Sequence, residues 1–268
     1  NEDAYVIVTG CYAQLDPDAI AAIDGVNLVI GTNNRLKIVE LVEQLESTER
    51  QINAVRDIMK ESHFEEMPLF GNESDKARAF MKIQEGCNNY CSFCIIPYTR
   101  GKLKSRKIED IVEEAKRLVD HGFHEIVLTG IHLGNYGVEL PGRPTLADVV
   151  KALLEIPELY RIRFGSIESV EVSDELVELM ATDKRVCPNL HLPLQAGSDH
   201  VLKLMRRHYT LQEYKELIAK LRSRIKDLSI TTDIIAGFPQ ETDEDFEETL
   251  NTVREIGFTH IHAFPYSI

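Results

Sequence analysis

Residues 78–97 read RAFMKIQEGCNNYCSFCIIP, an apolar-rich strand pattern running straight into three cysteines, Cys87, Cys91 and Cys94. Three thiols within eight residues are an odd set for a disulfide framework and one ligand short of a structural zinc site. A strand's C-terminal end is where a repeating βα protein gathers its chemistry. Three thiolates can bind three irons of a 4Fe–4S cluster and leave the fourth iron open to another ligand. The alternatives at this level are a zinc site completed by a distant histidine such as His191, or simply buried thiols.

Outward from this loop the strand-then-helix pattern repeats. Strands are predicted at 78–85, EIVLTG (125–130), RIRFGSIE (161–168), LHLPLQ (190–195), ITTDIIAGF (230–238) and HIHAFPYS (260–267). Helices are predicted between them, at about 109–121, 145–156, 174–182, 199–224 and 243–256. Six such steps predict an α/β fold, a partial TIM-like (β/α)6 barrel over 77–268, with its site at the strand ends. A doubly wound open sheet fits less well, because no switch point stands out. Before the barrel, AYVIVT (4–9) and VNLVIG (26–31) read as buried strands. A helix with Asp16 at its cap and Pro17 at its first position follows the first strand, and RLKIVELVEQLES (35–47) forms a second. Residues 1–50 therefore read as part of a parallel α/β domain, and 51–76 as a connector without sustained period. The opening NEDAYVIVTG, without an initiator Met, and the end on a strand pattern suggest a piece of a longer chain.

The 268 residues are 43% hydrophobic and 28% charged, as in an ordinary globular protein. No apolar run approaches the roughly 20 residues of a membrane helix. Five cysteines, spread as Cys11, the triplet and Cys187, do not make a secreted disulfide framework, and a reducing cytosol is the expected location. Cys187 reads as a structural thiol. A net charge of −14 argues against nonspecific nucleic-acid binding but leaves room for a local basic strip. RGKLKSRK supplies one, with Arg100, Lys102, Lys104, Arg106 and Lys107 directly after the cysteine loop. A solvated face is the default for such a run, and a phosphate-contacting strip is the functional alternative. Lys203, Arg206 and Arg207 offer a weaker second patch. Asp233, on an apolar strand, is an expensive charge unless partnered, which favours a functional or network role.

The cysteine triplet, preceded by KIQEGCN and followed by IIPYTRG, resembles that of the radical S-adenosylmethionine enzymes, and specifically their methylthiotransferase branch. The likeness continues in order through EIVLTGIHLGNYG, RIRFGSIE, LHLPLQAGSDHVLKLMRRHYT, TTDIIAGFPQETDEDFEET and HAFPYS, covering nearly all of 77–268. VIVTGCYAQ resembles the end of the branch's N-terminal domain, which gives a second 4Fe–4S cluster three cysteines; Cys11 matches one of them, and no other cysteine here matches the rest. LTGIHLGNYG and HAFPYS are most similar to the enzymes acting on threonylcarbamoyladenosine in tRNA. Isopentenyladenosine in tRNA and a ribosomal-protein aspartate are the substrates of the sister groups. A zinc-stabilised, non-catalytic RNA-binding module and a radical enzyme that does not methylthiolate are the other candidates.

The resemblance implies a 4Fe–4S cluster on Cys87, Cys91 and Cys94 whose open iron chelates S-adenosylmethionine, an electron from a donor such as flavodoxin or ferredoxin, and methylthiolation at carbon 2 of the adenine at tRNA position 37. It implies cofactor contacts at Phe93, at Thr129 and Gly130 against the methionine amino group, and at Ser166 and Glu168 near a ribose, where a plain salt bridge for Glu168 competes. Gln195, Asp233, Gly237 and Phe238 complete the expected cofactor set, and Arg100, Lys102, Lys104 and Arg106 the expected RNA contacts. The chain departs from the family pattern at Gln240, where Gly is common, and at Ala196, where Ser is common.

Overall fold

A computed structural model describes residues 4–48, 50–67 and 77–267, so residues 68–76 of the expected connector lie outside the described residues. The chain gathers into two compact units. One takes the described residues of Asn1–Leu69 with Gly86–Tyr90 and Cys94–Lys104; the other takes those of Phe70–Glu85 with Cys91–Phe93 and Ser105–Ile268.

The first unit is built on a parallel sheet of β1 (Val6–Thr9), β2 (Val26–Ile30) and β3 (Ile52–Asn53), with β2 in the middle. β2 is apolar at nearly every position because both of its faces are covered, as parallel strands require. Val26 and Val29 pack with Ala13 and Ile20 from α1 (Cys11–Leu15) and α2 (Pro17–Ala21). Leu28 and Ile30 pack with Leu41 of α3 (Ile38–Thr48) on the other side. The α2 start matches expectation: Pro17 sits in the first turn, and the Asp16 carboxylate accepts the Ala19 N–H at 3.0 Å. The short α1 was not legible in the sequence, and Cys11 is its first residue. After the cysteine loop comes α4 (Ile96–Arg100), ended by Gly101 at φ 73°.

The second unit holds six parallel strands in chain order. β4 (Ala79–Lys82), β7 (Glu125–Thr129) and β8 (Arg161–Phe164) pair in sequence, as do β9 (Asn189–His191), β10 (Ser229–Ala236) and β11 (His260–Pro265). Parallel bridges Ile162↔Val186 and Ser166↔His191 join the two threes across β8 and β9. The two-residue strands β5 (Gln84–Glu85) and β6 (Lys104–Ser105) flank the cysteine loop in sequence. Among the described residues the row ends at β4 and β11 without closing, the expected open (β/α)6 arrangement.

Between strands run α5 (Ile108–Asp120), α6 (Leu146–Leu154), α7 (Asp174–Thr182), α8 (Asp199–Leu204), α9 (Leu211–Arg224) and α10 (Asp243–Ile256). One apolar cluster joins strands and helices; Ile230 and Ile234 of β10 belong to it, while Thr231 and Asp233 point to the opposite, half-exposed face. Capping boxes start α6, α9 and α10, at Thr145–Asp148, Thr210–Glu213 and Thr242–Asp245. Asp245 also accepts from Ser198 Oγ at 2.5 Å and His200 Nδ1 at 2.9 Å, and these bonds hold its carboxyl well below the usual carboxylate range.

The structure corrects two expectations. The single helix over 199–224 is two, because the chain turns left-handed at Arg206 (φ 58°) and the Thr210 cap starts afresh. The strands at 161–168 and 190–195 end at Phe164 and His191, so Ser166, Glu168 and Gln195 lie in the turns beyond them.

Candidate functional site

The site residues of the second unit follow the strand ends. At β7, Thr129 donates its hydroxyl to Met81 O at 3.3 Å, and Gly130 begins the next loop. A Cβ on Gly130 would meet the Gln84 side chain at 3.0 Å and Leu133 at 3.2 Å, so a side chain there would require these neighbours to give way by a few tenths of an ångström. Gln84 is wholly buried, and its Oε1 accepts the His132 N–H at 2.7 Å, pinning the loop that follows Gly130. Nothing in the sequence reading singled out Gln84; its place two residues before a cysteine loop, on a strand end, was the available signal.

Beyond β9, Gln195 is held from both sides by β10: its N–H donates to Asp233 O at 2.8 Å, and its own carbonyl accepts the Ile235 N–H at 2.9 Å. Gln195 adopts φ 70°, a left-handed conformation that costs a non-glycine residue energy and that tends to persist at functional sites. Gln240, the departure from glycine, is also left-handed at φ 72°, which accounts for the residue type common there.

Asp233 finds its partner in His191, whose Nε2 lies 3.1 Å from the carboxylate while Nδ1 meets Thr231 Oγ1 at 2.8 Å. Both ring nitrogens are thereby engaged, which speaks against His191 as a distant zinc ligand for the thiols. His262 packs edge-on to His191, with centroids 5.8 Å apart. Phe93, Gln195, Asp233, Ile235, Phe264 and Tyr266 line a cavity of about 320 Å³. Phe238 supports it, edge-on to Phe93 at 6.4 Å and to Tyr266 at 5.2 Å. An aromatic-walled pocket with a few convergent polar groups suits a planar heterocycle bearing hydroxyls. Gly237 is exposed and left-handed at φ 76°, and Ser166 is exposed.

Glu168 is the salt bridge that competed with the ribose contact. It pairs with the Arg207 guanidinium, and burial pushes its carboxyl above the usual value while Arg207 opposes the shift. Arg207 is therefore no part of a surface patch. Its side chain is 4% exposed, and Nη1 reaches the Sγ of Cys91 at 3.3 Å. Ser92 is fixed beside Cys91, with its N–H donating to Met205 O at 3.1 Å and its hydroxyl to Leu204 O at 2.8 Å.

In the first unit, Cys87 donates its N–H to Gly101 O at 3.1 Å, and its Sγ accepts the Asn89 N–H at 3.4 Å. Gly86 before it has φ 79°, and a Cβ there would overlap Lys102 O at 1.9 Å, so only glycine allows this turn. Cys94 is half-buried, as is Cys11. Cys187, in the second unit, is buried as expected of a structural thiol, and burial pushes its thiol pKa up. The donor set suits an iron–sulfur cluster: soft thiols, with N–H groups already aimed at the sulfurs of Cys87 and Cys91.

The basic strip is corrected in part. Lys102 and Lys107 are exposed and Arg100 half-buried, but Lys104 and Arg106 are buried. Lys104 Nζ donates to Arg100 O at 2.9 Å, and Arg106 Nη1 donates to Glu114 at 2.6 Å. Burial runs unbroken from Leu103 to Arg106, so only the flanking Lys102 and Lys107 meet solvent, and the two buried charges are instead satisfied by these partners.

A family model described as the radical SAM superfamily matches residues 81–253. Along its whole length the chain is 43% identical to the threonylcarbamoyladenosine tRNA methylthiotransferase of Bacillus subtilis (strain 168), covering 59% of that protein. It is 41% identical, again along its whole length, to the tRNA-2-methylthio-N(6)-dimethylallyladenosine synthase of Thermoanaerobacter sp. (strain X514), covering 57% of that protein. The chain thus spans under two thirds of the length of these relatives. Among solved structures, the radical S-adenosylmethionine methyltransferase TsrM from Kitasatospora setae shares the fold at a TM-score of 0.58 and 15% identity, over 70% of this chain and 36% of that one.

Proposed function

Because the chain belongs to the radical SAM superfamily, we propose that it forms the catalytic portion of a methylthiotransferase acting on N6-threonylcarbamoyladenosine at position 37 of tRNA. The observation that carries this reading is the 43% identity, end to end, to a relative named for that activity. The relative named for dimethylallyladenosine is nearly as similar, at 41%, and makes that base the second reading.

Cys87, Cys91 and Cys94 would hold the cluster, and Cys11, at the start of α1, would supply one ligand of a second. When bound, the clusters and S-adenosylmethionine supply one-electron reduction, a carbon-centred radical and the methylthio group. The protein's own residues do the positioning. The Phe93, Phe238 and Tyr266 rings offer faces and edges to an adenine. The polar side chains of Gln195 and Asp233, in the same cavity, orient that adenine, and the bare backbone at Gly130 is left for the methionine amino group. An electron-transfer protein such as flavodoxin or ferredoxin would reduce the cluster, in the cytoplasm. Among the described residues, no helix is long and apolar enough to cross a membrane.

The test is mass spectrometry of tRNA nucleosides from cells lacking the full-length protein. Loss of 2-methylthio-N6-threonylcarbamoyladenosine with its unmethylthiolated precursor accumulating supports the proposal. Loss of the dimethylallyl product instead moves it to the second reading, and an unchanged profile sinks both.

Lys102 tests the RNA contact. Replacing it with Ala in the full-length protein is expected to weaken tRNA binding and to flatten the log–log salt slope by about 1, as for one lost phosphate contact. Filter binding across a salt series reads this, and an unchanged slope removes Lys102 from the interface.

A further inference from the structure

We propose that Arg207, clamped by Glu168 and Tyr209, is a positioning residue that sets the reduction potential of the iron–sulfur centre through the sulfur of Cys91. The inference rests on the reading above that Cys91 ligates iron. All four residues lie in the second unit, and the arrangement is built rather than incidental. The guanidinium is nearly excluded from water and uses its whole fork. Nη1 points at Cys91 Sγ from 3.3 Å, Nη2 pairs with Glu168 and reaches Pro193 O at 3.4 Å, and Nε donates to the Tyr209 hydroxyl at 3.3 Å. Tyr209 is anchored in turn, its hydroxyl meeting Pro193 O at 3.0 Å and Leu194 O at 2.9 Å, with its ring 5.2 Å from the guanidinium carbon.

The consequence follows from electrostatics. An N–H donated to a coordinating sulfur draws electron density from it, and a buried positive charge nearby stabilises the reduced, more negative cluster. Both act in the same direction, raising the potential, and burial keeps solvent from screening them. Glu168 holds the fork in place and offsets part of its charge. Arg cannot deprotonate, so this influence is constant across working pH, and Lys would carry the charge without the fork. A side chain that is 4% exposed is unavailable to a tRNA phosphate, which excludes the surface-patch role.

The experiment is an EPR-monitored redox titration of the anaerobically reconstituted full-length protein, without S-adenosylmethionine. It is run in a Cys11→Ala background so that a second cluster does not contribute to the signal. Relative to that parent, Arg207→Gln is expected to shift the midpoint to more negative potential, Arg207→Lys to shift it less, and Glu168→Gln to shift it to more positive potential. Opposite signs from the two partners of one ion pair are not produced by general loosening of the fold. An unmoved midpoint in Arg207→Gln with its cluster intact overturns the proposal. If Arg207→Gln fails to fold, Arg207→Lys and Glu168→Gln decide, and the absence of their opposed shifts overturns it. A parent that assembles no 4Fe–4S signal overturns the cluster reading itself, and this inference with it.

Discussion

Replacing Cys91 with Ala is expected to abolish cleavage of S-adenosylmethionine to 5′-deoxyadenosine, to the background of the assay, while leaving the fold intact. The two parts of this prediction have separate causes. A cluster with an open iron needs three protein thiolates, and removing one leaves a second iron without a protein ligand. The fold does not depend on that thiol, because Cys91 is only half-buried and its neighbour Ser92 keeps its hydrogen bonds to Met205 and Leu204. Iron and sulfide analysis should show the deficit. The brown absorbance that bleaches with dithionite should be lost, and far-UV circular dichroism of the apoprotein should match the parent. Cys187→Ala is the control, a buried thiol away from the triplet in sequence, which should lose some stability and no iron. A Cys91→Ala protein that still forms 5′-deoxyadenosine would refute the ligand assignment, and a colourless, zinc-loaded parent would refute the iron–sulfur assignment as a whole.

Much of the second unit was legible because its strands and helices keep strict periods. The α7 and α10 boundaries came out as read, since each helix begins at a cluster of acidic residues behind a hydroxyl cap. The break at Arg206 was not legible. The apolar pattern continues through it, and a left-handed arginine has no sequence signature of the kind glycine provides. The site divides in the same way. The cysteine spacing and the aromatic positions Phe93 and Phe238 carry their chemistry in their residue types. The roles of Lys104, Arg106 and Arg207 depend on which way a side chain faces, and a charged residue in a basic run reads as surface by default. Each was assigned to RNA, and each is buried. Glu168 and Arg207 lie 39 positions apart, so no local pattern links them.

Burial of Arg106 leads to the largest expected effect on stability. Glu114→Ala is expected to destabilise the protein by about 3–5 kcal/mol, because it removes the carboxylate from a guanidinium that stays buried. The side chains of Arg106 and Glu114 are only 5% and 7% exposed, and their contact is 2.6 Å. Arg106 cannot withdraw to solvent cheaply, since its backbone is fixed on both sides. Its N–H donates to Ile83 O at 2.9 Å, and its carbonyl accepts the Tyr136 hydroxyl at 2.5 Å. That position joins the end of β4, helix α5 and the loop after β7, so the loss should lower the cooperative unfolding midpoint rather than fray one element. Thermal melts should shift down by roughly 6–20 °C, at about 2–4 °C per kcal/mol for a chain of this size. The double replacement Arg106→Met with Glu114→Leu should recover most of the loss, because the desolvation cost of a buried ion pair often equals its attraction. The recovered protein also separates the two roles assigned to this arginine. An Arg106 that only stabilises the fold predicts an unchanged salt slope for tRNA binding in the double variant, whereas a phosphate contact predicts a slope lower by about 1.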